Sequence, residues 1–255
     1  MKRPSLLHAV WPPVTAVMLF LLLWQVAVWV WDVPKFILPG PVVIAEAAVA
    51  DAKVVARHAG STLSIAVSGL AIGCLVGMGV AVALHFSVRL KSALSPLLVL
   101  SQNVPIVVLA TLLVVWFGFG ILPKLILITL VCFFPVAVAM MDGLVSADRG
   151  MCDYMRMLGA TRWQTFAKLE FPWSLPSIFS GLKIAAAYSV LAAVFSEWVG
   201  SKSGMGYYLQ LKKTGFQVDR MFVAVIVIVV LSWLLYGLMV WLERATVKWR
   251  RERQS

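Results

Sequence analysis

Ser61 to Phe86 reads STLSIAVSGLAIGCLVGMGVAVALHF, 26 residues without a single Asp, Glu, Lys or Arg. A hydrocarbon core about 30 Å thick needs about 20 apolar residues to be crossed by a helix, so this run is long enough to span a bilayer. Similar runs occur at Pro12 to Trp31, Pro96 to Phe117, Ile121 to Met141, Gly181 to Val199 and Met221 to Leu242. Six such runs predict an all-α, polytopic membrane protein of about six transmembrane helices. Gly and Pro inside a run do not veto a crossing, because neighbouring helices satisfy the freed backbone groups.

Composition leads to the same class. Of 255 residues 62% are hydrophobic and 13% charged, whereas soluble domains run at about 45 to 50% apolar and about 25% charged. That excludes a soluble globular domain, a disordered chain and a collagen-like fibre, and six spans leave no room for a large extramembrane catalytic domain. The chain reads as one domain, 1–255. The first run ends in Trp29 and Trp31 and has no small-residue cleavage site, so it reads as a retained helix and not a signal peptide. Pro39 to Gly60, rich in Ala and Val with Glu46, Asp51, Lys53 and Arg57 interspersed, suits a short helix lying at the outer surface.

The net charge of +11 is distributed unevenly. With an even number of spans the two termini share a side. That side carries 14 Lys and Arg, namely Lys2, Arg3, Arg89, Lys91, Arg149, Arg156, Arg162, Lys168, Lys183, Arg244, Lys248, Arg250, Arg251 and Arg253, against 8 on the other. The positive-inside rule places both termini in the cytoplasm and rests the basic tail on anionic lipid, not on nucleic acid. Cys74, Cys132 and Cys152 are odd in number, lack metal-ligand spacing and read as free thiols.

Within the spans, Gly69, Gly73 and Gly77 recur every four residues and line one helix face, a packing signal. Gln102, Asn103 and Pro105 lie inside the third run, where amide side chains are costly and Pro105 can kink the helix. Two readings stay open for them, the lining of a pathway or hydrogen bonding between helices. Glu197, at the outer end of the fifth run, either borders the mouth of a pathway or snorkels to water beside Trp198.

The one long loop on the terminal side is Asp142 to Gly181, which contains DYMRMLGATRWQTFAKLEFP from Asp153 to Pro172. Two short helices broken near Gly159 are expected, with Thr161 as N-cap of the second and Pro172 ending it. Met155, Leu158, Trp163, Phe166 and Leu169 interleave with charge, as a partner-docking surface or an interfacial loop would.

This loop resembles the coupling segment of ATP-binding cassette importer permeases, Glu-Ala-Ala, three residues, Gly, nine residues, Ile-x-Leu-Pro. Asp153 takes the Glu place, Tyr154 and Met155 the two Ala places, Gly159 the Gly, Leu169 the Ile, Phe171 the Leu and Pro172 the Pro. The spacing fits throughout, although the acid is shorter and both Ala positions are bulky. Val104-Pro105-Ile106, Trp116 to Gly120, Phe133-Phe134-Pro135, Leu158 to Thr161, Glu197 to Gly200 and Gly204 to Tyr208 look like the nitrate, sulfonate, taurine and thiamine-precursor permease group.

The resemblance implies an importer core over about 57–242 with an extra N-terminal helix at about 12–31. It implies a multi-pass subunit of the bacterial inner membrane, pairing with a second permease copy, a cytoplasmic ATP-binding subunit and an extracytoplasmic substrate-binding protein. Asp153, Leu158, Gly159, Ala160, Thr161, Arg162 and Pro172 become candidates for ATPase coupling, and Gln102, Asn103, Pro105 and Glu197 for the pathway. Substrates expected are a thiamine-pyrimidine precursor or a riboflavin-like compound, with sulfonate, taurine or nitrate as the alternative.

No catalytic or metal-binding residues are expected. The phosphate-cradling Gly-x-x-x-x-Gly-Lys-Ser/Thr loop has no match, so ATP with Mg²⁺ is expected on the partner subunit. A stand-alone ion-coupled carrier would show ionisable residues deep in its spans, and an embedded enzyme would bring His, Asp, Glu or Cys together. Neither pattern is evident, since His8, His58 and His85 lie at separate segment ends.

Overall fold

The computed structural model describes residues 6–101 and 103–247. Gln102, Lys2, Arg3 and the basic tail from Lys248 lie outside the described residues. In chain order the helices are α1 Leu6–Val30, α2 Pro41–Ala50, α3 Ala52–Phe86, α4 Val88–Ser101, α5 Ile106–Phe117, α6 Leu122–Val145, α7 Arg149–Met157, α8 Arg162–Thr165, α9 Phe171–Trp198, α10 Met205–Thr214 and α11 Val218–Thr246, with a π-helical turn Phe166–Glu170 between α8 and α9. Among the described residues, five helical stretches are long and apolar enough to cross a membrane: Trp11–Val30, Ala52–Phe86, Leu122–Val145, Arg162–Trp198 and Val218–Thr246.

The third apolar run is not one helix. It is broken between α4 and α5, and the 12 residues of α5 reach only about 18 Å at 1.5 Å per residue. The cause is local. Pro105 has no N–H to donate and stands as the N-cap of α5 with extended φ and ψ of −60° and 127°, while the residue before a proline is pushed out of the α region. The stretch from Pro39 to Gly60 is likewise not one short helix, since α2 ends at Ala50 and α3 begins at Ala52.

Pro172 does not end a helix, contrary to the sequence reading. Helical backbone continues from Arg162 to Trp198. The π turn Phe166–Glu170 immediately precedes Pro172, which then occupies the first turn of α9, where a proline's missing N–H breaks no α-helical bond.

The described residues fall into two compact units, one within Met1–Arg57 and Tyr208–Val227, the other within His58–Tyr207 and Ile228–Ser255. In the second unit the glycine face of α3 packs on α6. A Cβ added at Gly69 would stand 2.5 Å from Ile128, at Gly73 2.7 Å from the Cys132 Cβ, and at Gly77 2.5 Å from the Phe133 carbonyl oxygen. On the other side of α6, Gly181 of α9 would bring a Cβ within 2.6 Å of the Pro135 carbonyl oxygen. The three backbones thus approach through small residues, the association mode favoured where lipid offers no hydrophobic drive. Leu127, Ile128, Cys132, Val136 and Met140 of α6 are fully buried between them, and all three cysteines are free.

In the first unit Gln25, inside α1, accepts a hydrogen bond from the Val42 N–H at 3.2 Å and so supplies an acceptor to the start of α2. Asp51, at the end of α2, receives the Tyr208 hydroxyl at 2.8 Å and lies 3.4 Å from both Lys212 and Arg220. Burial alone would push the Asp51 carboxyl up; the Tyr208 hydrogen bond and the two cations outweigh it and hold the carboxyl below the usual carboxylate range.

Candidate functional site

The exposed segment between α6 and α9 is built by local rules. Asp148 caps α7, its carboxylate accepting from the Met151 N–H at 3.1 Å. At the other end Gly159 adopts φ +80°, a left-handed conformation that favours glycine, and its N–H donates to the Arg156 carbonyl at 2.9 Å. Thr161 then caps α8 in a capping box. Its hydroxyl accepts from the Gln164 N–H at 3.3 Å, and its own N–H donates to the Gln164 side chain at 2.8 Å. The corner is therefore fixed by hydrogen bonds, yet its apolar side chains are not covered: Met157, Leu158 and Trp163 are 80%, 66% and 60% exposed. Such a rigid, exposed apolar ridge is what a partner surface presents.

Asp153, Leu158, Gly159, Ala160, Thr161 and Arg162 are all brought together here. Asp153 pairs with Arg156 one turn on, at 3.1 Å and in the open. Arg162 turns back into its own chain, donating to the His85 carbonyl at 2.9 Å and lying 5.2 Å from the centre of the Phe86 ring. Pro172 lies apart, inside the long helix. Glu170 and His85, neither singled out from sequence, face each other at 2.8 Å beside this segment. The available signal was a polar, hydrogen-bonding side chain at the end of α3 and another at the end of the π turn, but 85 positions separate them. Next to the pair is a cavity of about 290 Å³ lined in part by Arg149, Cys152 and Arg156. Burial pushes the Cys152 thiol up, reinforced by the Glu170 carboxylate and opposed by Arg156.

At the break of the third run, Asn103 and Pro105 are exposed. The adjoining residues open onto a mostly apolar cleft of about 420 Å³, lined by Val104, Ile106, Leu109, Phe133, Tyr188 and Leu191 among others.

Glu197 is placed differently. It is 1% exposed and closes a polar knot. The Thr62 hydroxyl is shared between its carboxylate oxygens at 2.9 and 3.0 Å, and the Gly206 N–H donates to it at 2.8 Å. Thr62 in turn accepts from the Met205 N–H at 2.7 Å. Lys124 donates to Ser201 at 2.8 Å in the loop that follows α9. Snorkelling to water is thereby replaced by internal pairing, which a buried carboxylate requires. Among the described residues, no group of three or more His, Cys, Asp and Glu is placed to hold a metal ion.

Comparison with known proteins places these features in a wider set. Residues 69–248 match the family described as binding-protein-dependent transport system inner membrane component. An ABC transporter permease protein of Haemophilus influenzae is 34% identical over 90% of this chain and 94% of its own length. The formylaminopyrimidine transport permease protein ThiX of Halalkalibacterium halodurans is 30% identical, covering 94% and 96%, and the riboflavin transport system permease protein RibX of Chloroflexus aurantiacus 31%, covering 96% and 93%. Among solved structures, a chain of the inward-facing MetNI methionine ABC transporter superposes with TM-score 0.67 at 18% identity, covering 74% of this chain and 94% of that one, which shows a shared fold.

Proposed function

The chain belongs to the binding-protein-dependent transport system inner membrane components, as the multi-pass permease of an ABC importer and not an enzyme, with ATP hydrolysis on a separate subunit, and from that premise we propose how it acts and on what. Two copies, or this chain and a close relative, enclose the pathway. The α7–Gly159–α8 corner enters a cleft on the cytoplasmic ATPase, which holds ATP and Mg²⁺, and both termini lie on that side, the broken α4–α5 stretch making the sixth crossing. An extracytoplasmic binding protein delivers the substrate to the opposite face. ATP-driven closure of the ATPase pair moves the corner, and α9, continuous with it, carries the motion into the membrane. The broken third run, with Asn103 and Pro105 beside the cleft at Tyr188, lines the pathway.

The observation that carries this reading is the corner itself, a hydrogen-bonded turn that leaves Met157, Leu158 and Trp163 largely exposed. The substrate we propose is a thiamine-pyrimidine precursor or a riboflavin-like compound. The names of two relatives support a flat, nitrogen-containing ring, and the mostly apolar cleft carrying Phe133 and Tyr188 offers such a ring suitable surface. An alkanesulfonate, taurine or nitrate is the alternative, which such an apolar lining suits less.

The test is uptake of labelled hydroxymethylpyrimidine-type precursor, riboflavin, an alkanesulfonate and nitrate in cells with and without this gene, alongside the neighbouring ATPase and binding-protein genes. ATP-dependent accumulation of either ring compound supports the substrate. Accumulation of the sulfonate or nitrate alone replaces it, and a permease that never co-purifies with an ATPase overturns the docking.

A further inference from the structure

The end of α3 is gripped by the segment that carries the coupling corner, from several directions at once. The His85 ring nitrogen Nε2 and the Glu170 carboxylate are 2.8 Å apart and both largely shielded. The Arg162 guanidinium donates to the His85 carbonyl at 2.9 Å, one of the carbonyls that the helix end leaves without an internal partner. The same guanidinium lies over the Phe86 ring. Phe86 further stacks with Trp163 and Phe166 at ring-centre distances of 5.7 and 5.2 Å, and His85 with Phe166 at 5.7 Å. Two consecutive residues of α3 are therefore held by four residues of the coupling stretch, Arg162, Trp163, Phe166 and Glu170.

The π turn enters this grip directly. It runs from Phe166 to Glu170, and its first and last residues are two of the four that make the contacts. A π turn inserts an extra residue into the helix and re-aims the side chains it carries, and such turns concentrate where a helix does more than span. Here the insertion turns Phe166 and Glu170 toward α3, while the backbone still runs on into α9. The same stretch thus has two outlets, one through its own continuation and one across to α3.

We propose that His85 and Phe86 are positioning residues of the coupling device, through which the corner moves α3 as one body with itself, in addition to driving α9. This rests on the reading that the corner docks on an ATPase. From the grip the motion passes into α6, because α3 and α6 touch backbone to backbone at Gly73 and Gly77 and such contacts do not slide without a steric clash.

The experiment uses the permease purified with its ATPase in lipid, native cysteines replaced by alanine, and spin labels at Leu75→Cys on the exposed face of α3 and Lys168→Cys on the exposed face of the π turn. Labelled chain is diluted with unlabelled chain so that distances within one copy dominate. In the otherwise unaltered protein, the label separation stays within about 2 Å, the scale of ordinary helix shifts, between the nucleotide-free and the ATP-vanadate-trapped complex. In His85→Ala and Phe86→Ala it starts at the same value and changes by more than that on trapping, with the ATPase still co-purifying. His85→Gln, which keeps a hydrogen-bond donor toward Glu170, restores the constant separation and guards against an alanine variant that fails to fold.

A separation that changes on trapping in the unaltered protein overturns the proposal. So does one that stays constant in both alanine variants. Loss of ATPase co-purification from the unaltered protein overturns the docking reading, and the proposal with it.

Discussion

Replacing Glu197 by alanine tests whether the end of α9 is held by its buried polar knot. The substitution removes the acceptor for two buried donors, the Thr62 hydroxyl and the Gly206 N–H, at 2.9 and 2.8 Å. A hydrogen bond to a charged group contributes about 1.5 to 3 kcal/mol and leaves its donor unsatisfied when the acceptor is lost. The Thr62 hydroxyl rotates to seek another acceptor and the carboxylate no longer has to be desolvated, so the net loss is about 3 kcal/mol and not the full sum. At about 2 to 4 °C per kcal/mol for chains of 150 to 250 residues, the apparent melting temperature in detergent falls by about 10 °C. Near-ultraviolet circular dichroism of the 11 tryptophans follows that transition. Glu197→Gln keeps one carbonyl oxygen able to accept both donors and falls by only a few degrees. An alanine variant that melts with the unaltered protein refutes the structural role, and a glutamine variant as damaged as the alanine one shows that the charge, and not the acceptor, is what the site needs.

Gly159→Leu places a side chain where φ is +80°, a conformation costing about 1 kcal/mol or more for a residue with a Cβ; the corner is distorted, uptake is lost while ATP hydrolysis and membrane content persist, and full uptake in this variant would remove the corner from the mechanism. Gly77→Ala forces a Cβ to within 2.5 Å of a backbone oxygen of α6, whereas Gly79→Ala meets nothing within 4 Å, so the first lowers the amount of folded protein recovered in detergent and the second does not. The Asp51 carboxyl is held below its ordinary value, so its contribution is complete above the unfolded value of about 3.9 and is lost as pH falls through the lower folded value. Melting compared between Asp51→Asn and the unaltered protein therefore shows a gap at pH 7 that narrows below about pH 4, and a gap that widens in acid would contradict the assignment.

The spans were legible because run length is a direct physical constraint, and five of the six runs reappear as helices with ends displaced by a few to about twenty residues. The displacement is largest at α9. There the polar loop continues as helix into the membrane, since a polar sequence outside lipid is as free to be helical as an apolar one within it. The third run misled in the same way, because hydropathy is blind to Pro105. Pro172 shows the limit of reading proline by rule: the rule assumes α periodicity before it, and a π turn changes that periodicity. The N-cap at Thr161 and the break at Gly159 were legible because both are set by residues three positions apart or closer. Glu197 with Thr62, 135 positions apart, and His85 with Glu170 were not, because no local rule relates residues that only the packing of α3 and α9 brings together.

Those two illegible pairs have a common geometry. Thr62 and His85 are both on α3, 23 residues apart, or about 35 Å along its axis. One is tied to the end of α9 and the other to the π turn that leads into α9. Between them α3 offers glycine to α6 and no charged side chain. A helix fastened near one end by a buried polar contact and at the other by a part-buried one, and pressed along its middle against a second backbone, resists bending or sliding locally. Under the coupling proposed above, a displacement imposed at His85 is delivered at Thr62, and so to the Glu197 knot and the loop after α9. Tied at Thr62–Glu197 and at His85–Glu170 and pressed on α6 between, α3 and the long helix that ends in Trp198 form two rods joined near both ends, the construction that the proposed coupling requires.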